Sequence, residues 1–337
     1  MQNVFLYPLN QKVKGSPNPY MEHFRIAFSR SAKIVNAKTP HRGVLNLYFL
    51  FFRTDVFILN WIEFIEEKRF GSLQVFFLRR FLTLARIFGK KIVWVLHNKG
   101  SHYRGTGGGT KRMFMLMMKK SDHILTHSEE GLTFVNTNYP FAAEKVTFLL
   151  HPMLPPFKDE EPVEREFDLM IWGAIHKYKG IDLFFKFAKE SLEFSQLKIL
   201  LVGKCFDEAY KEIVLENLTE NTTFFDQLYP LERLSQFASR SKFVLFTYMS
   251  ETVISSGALM DTLRMNTQII GPDYAAFKDL SYLPCVQVFQ DFSEIPIMVE
   301  AYDKNRNLTF QMREKFYLEN SWDCFIDQVS EIAIEPR

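Results

Sequence analysis

Short runs of consecutive apolar residues alternate along this chain with longer segments of helical period. Val4–Tyr7, Lys33–Asn36, Asp55–Trp61, Lys91–Leu96, His123–Thr126 and Val146–Leu150 read as strands. Such runs, apolar throughout rather than at every second position, belong to parallel strands covered on both faces. Between them, 20–32, Val44–Phe52, Ser72–Phe88, Lys111–Lys120 and the segment capped by Ser128 read as helices. Residues 151–166 break the rhythm with Pro152, Pro155, Pro156, Pro162 and a run of acids, and read as an interdomain linker. A second series follows. Its strands are Phe167–Gly173, Leu197–Gly203, Asn221–Phe225, Phe243–Thr247, Gln268–Pro272 and Cys285–Phe289. Its helices are Ile181–Glu190, Glu208–Glu216, Leu231–Ala238 and segments near Ser255, Ser293 and Phe310. Strand–helix alternation of this kind predicts an α/β protein with two Rossmann-like, doubly wound parallel-sheet domains facing a cleft. The expected domains are residues 1–152, joined by a terminal helix of about 318–337, and residues 153–317.

The best-marked candidate for chemistry lies between two strands of the second series, Thr247–Pro272. A helix starting at Ser255 or Ser256 leaves the amides of Ser256, Gly257 and Ala258 at the positive end of its dipole. At the carboxyl edge of a parallel sheet this attracts a phosphate or diphosphate, and Gly257 permits close approach. One turn on, Asp261 is placed to reach a ribose. The same logic recurs at Trp172–Gly180, where a strand ends in Gly173 and Lys179 precedes a helix. Lys179 supplies a point charge for the same diphosphate. The plain alternative for the Thr247–Pro272 stretch is an ordinary capped helix of an α/β domain.

Charge adds a second feature. Residues 1–150 carry 22 Lys and Arg against nine Asp and Glu, whereas residues 151–337 carry 19 against 30. The split suggests two bodies with different partners. In the first half cations are interleaved with large apolar residues, as in Phe76–Phe81, Arg86–Lys91 and Lys111–Lys120. That pattern favours contact with an anionic membrane surface over simple solvation. No nucleic-acid motif is present, so no nucleic-acid partner is expected. Cys205, Cys285 and Cys324 have neither metal-ligand nor disulfide spacing, which suits a cytoplasmic protein. No signal peptide is expected, and the most apolar window, Leu45–Ile62, contains Arg53 and Asp55 and is short for a spanning helix.

Taken together, these motifs resemble the GT-B-fold glycosyltransferases of the family-4 type, common in bacterial polysaccharide and capsule synthesis. That family's Gly-Arg, four residues, Lys-Gly pattern falls on Gly173, Ala174, Lys179 and Gly180. Its two glutamates eight apart fall on Val253 and Asp261. Ser255–Leu259, Asn18–Tyr20, His97–Asn98 at a strand end, and Ser321–Trp322 at the start of the terminal helix match the family or a subset of it. The resemblance implies metal-independent transfer of a sugar from a UDP- or GDP-linked donor, with no further cofactor. The implied acceptor is a lipid-linked or other saccharide, and the setting is the inner face of the cell membrane. His97, with Asn98, would orient the donor sugar or act as base. Lys179, Gly173, Ser255, Ser256 and Gly257 would hold the diphosphate, Asp261 the ribose, and the backbone around 225–228 the base. Weaker candidates are Gly15 in the 12–20 loop, His151 at the hinge, Lys204, and His176 and Glu251, which stand near the missing Arg and Glu. No Asp-X-Asp occurs. Two other readings remain open: a non-catalytic nucleotide-sugar-binding subunit of a glycan-synthesis complex, and a sugar-nucleotide epimerase. His23, His41, His123 and His127 read as structural or solvated.

Overall fold

A computed structural model of the 337-residue chain describes residues 2–10, 12–13, 16–100, 108–159, 164–248 and 254–334. The chain divides into two compact units. One comprises Met1–Pro152, Thr252–Ser255 and Asn320–Arg337; the other comprises Met153–Glu251 and Ser256–Glu319.

The first unit is built on six parallel strands: β1 (Asn3–Tyr7), β2 (Lys33–Ile34), β3 (Val56–Asn60), β4 (Lys91–Leu96), β5 (His123–Thr126) and β6 (Val146–Phe148), in the order β2-β1-β3-β4-β5-β6. All five residues of β3 are buried, as are the last five of β4. That is why both read as unbroken apolar runs. Helices α1 (Pro19–Phe28), α2 (Gly71–Ile87), α3 (Gly108–Lys120) and α4 (Glu129–Asn138) connect them. Asn18 caps α1 by accepting from the Tyr20 N–H at 3.0 Å, with Pro19 at the first helical position. Ser128 caps α4 through Gly131 N–H at 3.2 Å.

The second unit repeats the plan with β7 (Phe167–Trp172), β8 (Ile199–Val202), β9 (Thr222–Phe225), β10 (Ser241–Leu245), β11 (Gln268–Pro272) and β12 (Val286–Phe289), in the order β9-β8-β7-β10-β11-β12. Its helices include α5 (Ile181–Glu190), α6 (Glu208–Asn217), α7 (Leu231–Ser239), α8 (Gly257–Leu263) and α9 (Phe310–Glu319). Strand order reverses between β1 and β3 in the first sheet and between β7 and β10 in the second. Ligands of doubly wound folds bind beyond the carboxyl ends of the strands at such reversals.

The last helix, α10 (Trp322–Ile334), belongs to the first unit and packs on α1. Trp322 lies 5.2 Å from the Tyr20 ring, and Phe325 lies 5.7 Å from Phe24.

One expectation changes. Val44–Phe52 is not one helix but a single turn, Asn46–Phe49, followed by a 3-10 turn, Phe51–Arg53. It has no capping side chain, and its aromatic residues favour helix weakly. The proline-rich segment after Pro152 is stitched to the second unit. Arg165 donates to the carbonyls of Ala238, Ser241 and Asn266. Arg264 donates to Pro155 O at 2.9 Å and stacks over Phe157. Buried Arg313 donates to the Phe157 and Arg264 carbonyls and pairs with Asp159.

Candidate functional site

In the second unit the strand reversal gathers Gly173, Lys179, Thr247 and Ser256. Gly173 directly follows β7 with φ +94°, a conformation that favours glycine. A Cβ built there would stand 3.1 Å from Lys179 Nζ, so any side chain would crowd the ammonium. Beside it, Gly203 must also be glycine, because its Cβ would collide with the Gly173 carbonyl. Lys179 ends a 3-10 turn, Lys177–Lys179, and is fixed through its backbone: Thr247, just past β10, donates its hydroxyl to Lys179 O at 2.7 Å. The residue is only 8% exposed. Among the described residues it has no ion-pair partner, and burial alone pulls its pKa down to about 8. Lys179 is thus a desolvated cation beside a glycine at the switch point.

Ser256 caps α8, its hydroxyl accepting from the Leu259 N–H at 3.2 Å. Tyr248 also hydrogen-bonds the Ser256 side chain. The first backbone bond of α8 runs from Met260 N–H to Ser256 O. The amides of Gly257 and Ala258 therefore precede the helical ladder. Asp261 Oδ1 is held by Arg264 at 2.8 Å, which fixes the carboxylate at the inner turn of α8. Trp172 anchors the same helix by donating to Thr262 Oγ1 at 3.0 Å.

In the first unit the carboxyl ends of the strands carry a cluster of buried rings. Asn60, the last residue of β3, donates to Tyr7 O at 3.2 Å, so its Oδ1 faces His97 Nε2 at 2.9 Å as acceptor. This fixes His97 as the Nε2–H tautomer and leaves Nδ1 as its lone-pair nitrogen. Trp61 stacks on the imidazole, with centroids 4.3 Å and planes 17° apart. It holds that position with φ 50°, in the left-handed region that a bulky residue rarely adopts. His127 donates from Nδ1 to Leu149 O at 2.9 Å and accepts from the Tyr20 hydroxyl at 2.9 Å through Nε2. His151 Nδ1 donates to Pro152 O at 2.8 Å. Burial, and for His97 and His127 their histidine neighbours, lower all three pKa values: His97 well below the usual range, His127 to about 3 and His151 to about 4. The cluster is neutral at physiological pH and presents hydrogen-bonding imidazole rather than imidazolium. Asn98, directly after His97, is buried as well.

The remaining candidates fall elsewhere. Lys204 pairs with Asp226 at 3.0 Å, so its charge is already met. His176 stacks on Tyr178 at the head of the Lys179 turn. Ser255 falls in the first unit's grouping and Ser256 in the second's. Gly15 and Glu251 lie outside the described residues.

Sequence reasoning did not single out Asn60, Trp61 or Glu63. A polar residue closing a buried strand was the available signal for Asn60. Glu63 is buried, accepts from Trp94 Nε1 at 2.9 Å, and is pushed by burial to a pKa of about 7. It sits in a 3-10 helix, Ile62–Glu67, too short to leave a clear periodic trace.

No family model and no curated protein matches the sequence. Solved structures do. HepE of Anabaena in complex with UDP-glucose superimposes with a TM-score of 0.66 at 11% identity, over 98% of this chain and 99% of that one. A glycosyltransferase of Rickettsia africae gives 0.62 at 11% identity, over 98% and 97%. A UDP-forming trehalose-phosphate synthase of Burkholderia vietnamiensis gives 0.62 at 10% identity, over 93% and 77%. The chain has the GT-B fold. Its two six-stranded parallel sheets are the two sheets of that architecture, and at these identities the likeness speaks to fold alone.

Proposed function

We propose that this GT-B protein is a glycosyltransferase that moves a sugar from a UDP- or GDP-linked donor to a saccharide acceptor. The observation that carries the reading is Lys179: a buried ammonium with no ion-pair partner among the described residues, opposite Gly173 at the switch point of the second sheet. The HepE complex with UDP-glucose supports the donor class. In the proposed reaction an acceptor hydroxyl oxygen bonds the anomeric carbon. The bond from that carbon to the diphosphate breaks, and its electron pair leaves with the diphosphate. Lys179 and the amides of Gly257 and Ala258 stabilise the charge that builds there, so the step is proposed to need no metal. Asp261 takes the ribose. His97 contributes Nδ1 as acceptor for a sugar hydroxyl, in which case the acceptor's proton passes to the departing diphosphate oxygen, or as the base that receives that proton.

The finer assignment is to the family-4 type, in bacterial surface polysaccharide synthesis. It comes with a lipid-linked acceptor bound by the first unit, the donor bound by the second, and the basic first unit resting on the inner leaflet. The test is donor turnover. Purified protein with UDP- or GDP-sugars and a lipid-linked saccharide should release nucleoside diphosphate and yield a longer glycan. Lys179→Ala should reduce this by at least about 10²-fold, the cost of removing a donor that meets developing charge. Ala174 and Val253, which stand where the family has Arg and Glu, favour one competing reading: a subunit that binds the donor without turning it over. Tight donor binding with no product from any acceptor would establish that reading and end the transferase one.

A further inference from the structure

The amino edge of the first sheet carries a feature with no part in the proposed reaction. A cavity of about 280 Å³ is lined by Arg86 at the end of α2, Lys90 just before β4, Lys119, Lys120 and Ser121 at the end of α3, Asp122, and Lys145 just before β6. Five cations face one carboxylate. Two helix C-termini add roughly one unit of negative charge between them, so a clear positive excess remains. Asp122 is turned to the backbone, accepting the Ile92 N–H at 2.8 Å. Lys145 gives one hydrogen bond to Ser121 O at 3.1 Å. The Ser121 hydroxyl is buried with no partner among the described residues.

The flank of this cavity is apolar and exposed. Lys90 Nζ lies 5.9 Å from the Phe51 ring, which packs on Phe52 at 5.3 Å and Phe88 at 5.6 Å. Phe52 is 79% exposed, Ile87 71% and Phe88 52%. Aromatic and aliphatic side chains bared beside a cationic pocket suit an interface where one part enters hydrocarbon and the other meets headgroups. A free anion would use the cations and gain nothing from Phe52 and Phe88.

We propose that this pocket seats the phosphate headgroup of an anionic phospholipid, with Phe52, Ile87 and Phe88 entering the bilayer beside it. The proposal deepens the membrane part of the proposed function and rests on it. It places the docking edge one strand length away from Asn60 and His97; β4 has six residues, about 20 Å.

The test is co-sedimentation of the full chain with phosphatidylcholine vesicles that contain or lack phosphatidylglycerol. The triple variant Lys119→Ala/Lys120→Ala/Lys145→Ala is compared with a control of equal charge change on the same unit, Lys33→Ala/Lys38→Ala/Lys68→Ala. Circular dichroism confirms that both are folded. Wild type and control should bind the phosphatidylglycerol vesicles alike, and the pocket triple should bind roughly a hundredfold more weakly. Phe52→Ser/Phe88→Ser should weaken vesicle binding while leaving binding of soluble glycerol phosphate unchanged. Equal loss in both triples would overturn the pocket and leave membrane contact standing as a diffuse charge effect. Vesicle binding that ignores the Phe changes would assign the pocket to a free anion. No binding of wild type to anionic vesicles would remove the membrane reading altogether.

Discussion

Lys179 is where stability and function pull apart. Burial lowers its pKa from 10.5 to about 8. At 1.36 kcal/mol per unit, keeping it charged in the folded state costs about 3 kcal/mol at neutral pH. Lys179→Met should therefore raise the unfolding free energy by roughly that order at pH 7, measured by urea denaturation, while removing the proposed anion site. The sign with pH follows from proton counting. Between pH 8 and 10.5 the unfolded chain holds the lysine proton and the folded chain has released it. Wild-type stability should thus gain on the variant as pH rises through that window, and the difference should be largest below pH 8. A variant no more stable than wild type at pH 7 would mean that a partner already compensates the charge. The places of Lys179 and Gly173, before a helix and after a strand, were legible in the sequence because a lysine-glycine pair before a helix and a glycine after a strand are local signals. Asn60 and Trp61 were not. Their importance comes from β3 and β4 lying side by side, which brings His97 within 2.9 Å of Asn60. No spacing along the chain records that.

At the level of elements, burial decided what was readable. Lys91–Leu96, His123–Thr126, Ile181–Glu190 and Gln268–Pro272 have the bounds their apolar patterns indicate. Val44–Phe52 misled because four of its nine residues are aromatic, and two of them, Phe49 and Phe52, point to solvent. The arginine clamps on residues 153–159 were equally hidden: proline-rich sequence reads as linker whether or not distant guanidiniums hold it. The joint between α10 and α1 is a packed aromatic seam, with Trp322 against Tyr20 at 5.2 Å and Phe325 at 5.8 Å. Trp322→Ala should cost about 3 kcal/mol in urea denaturation. Because Tyr20 also donates to His127, the change should reach the histidine cluster, and histidine ring resonances in NMR should shift along with the stability. A stability loss below about 1 kcal/mol would mean that the seam collapses to fill the gap.

For the molecule as a whole, one strand–helix rhythm is used twice, with the first sheet reversing between β1 and β3 and the second between β7 and β10. Alternation of strands and helices made the class legible. Strand order was not, since it depends on which crossovers cover which face. The basic first half and acidic second half follow the same division, in keeping with different partners for the two units. In the proposed function the second unit's reversal holds a diphosphate on Lys179. Isothermal titration of the full chain with UDP and GDP, and with uridine and guanosine, tests it most directly. One diphosphate should bind with an affinity its nucleoside lacks by at least about tenfold, a difference that Lys179→Met abolishes. Equal binding of nucleoside and diphosphate, or a Lys179→Met titration identical to wild type, would contradict the account.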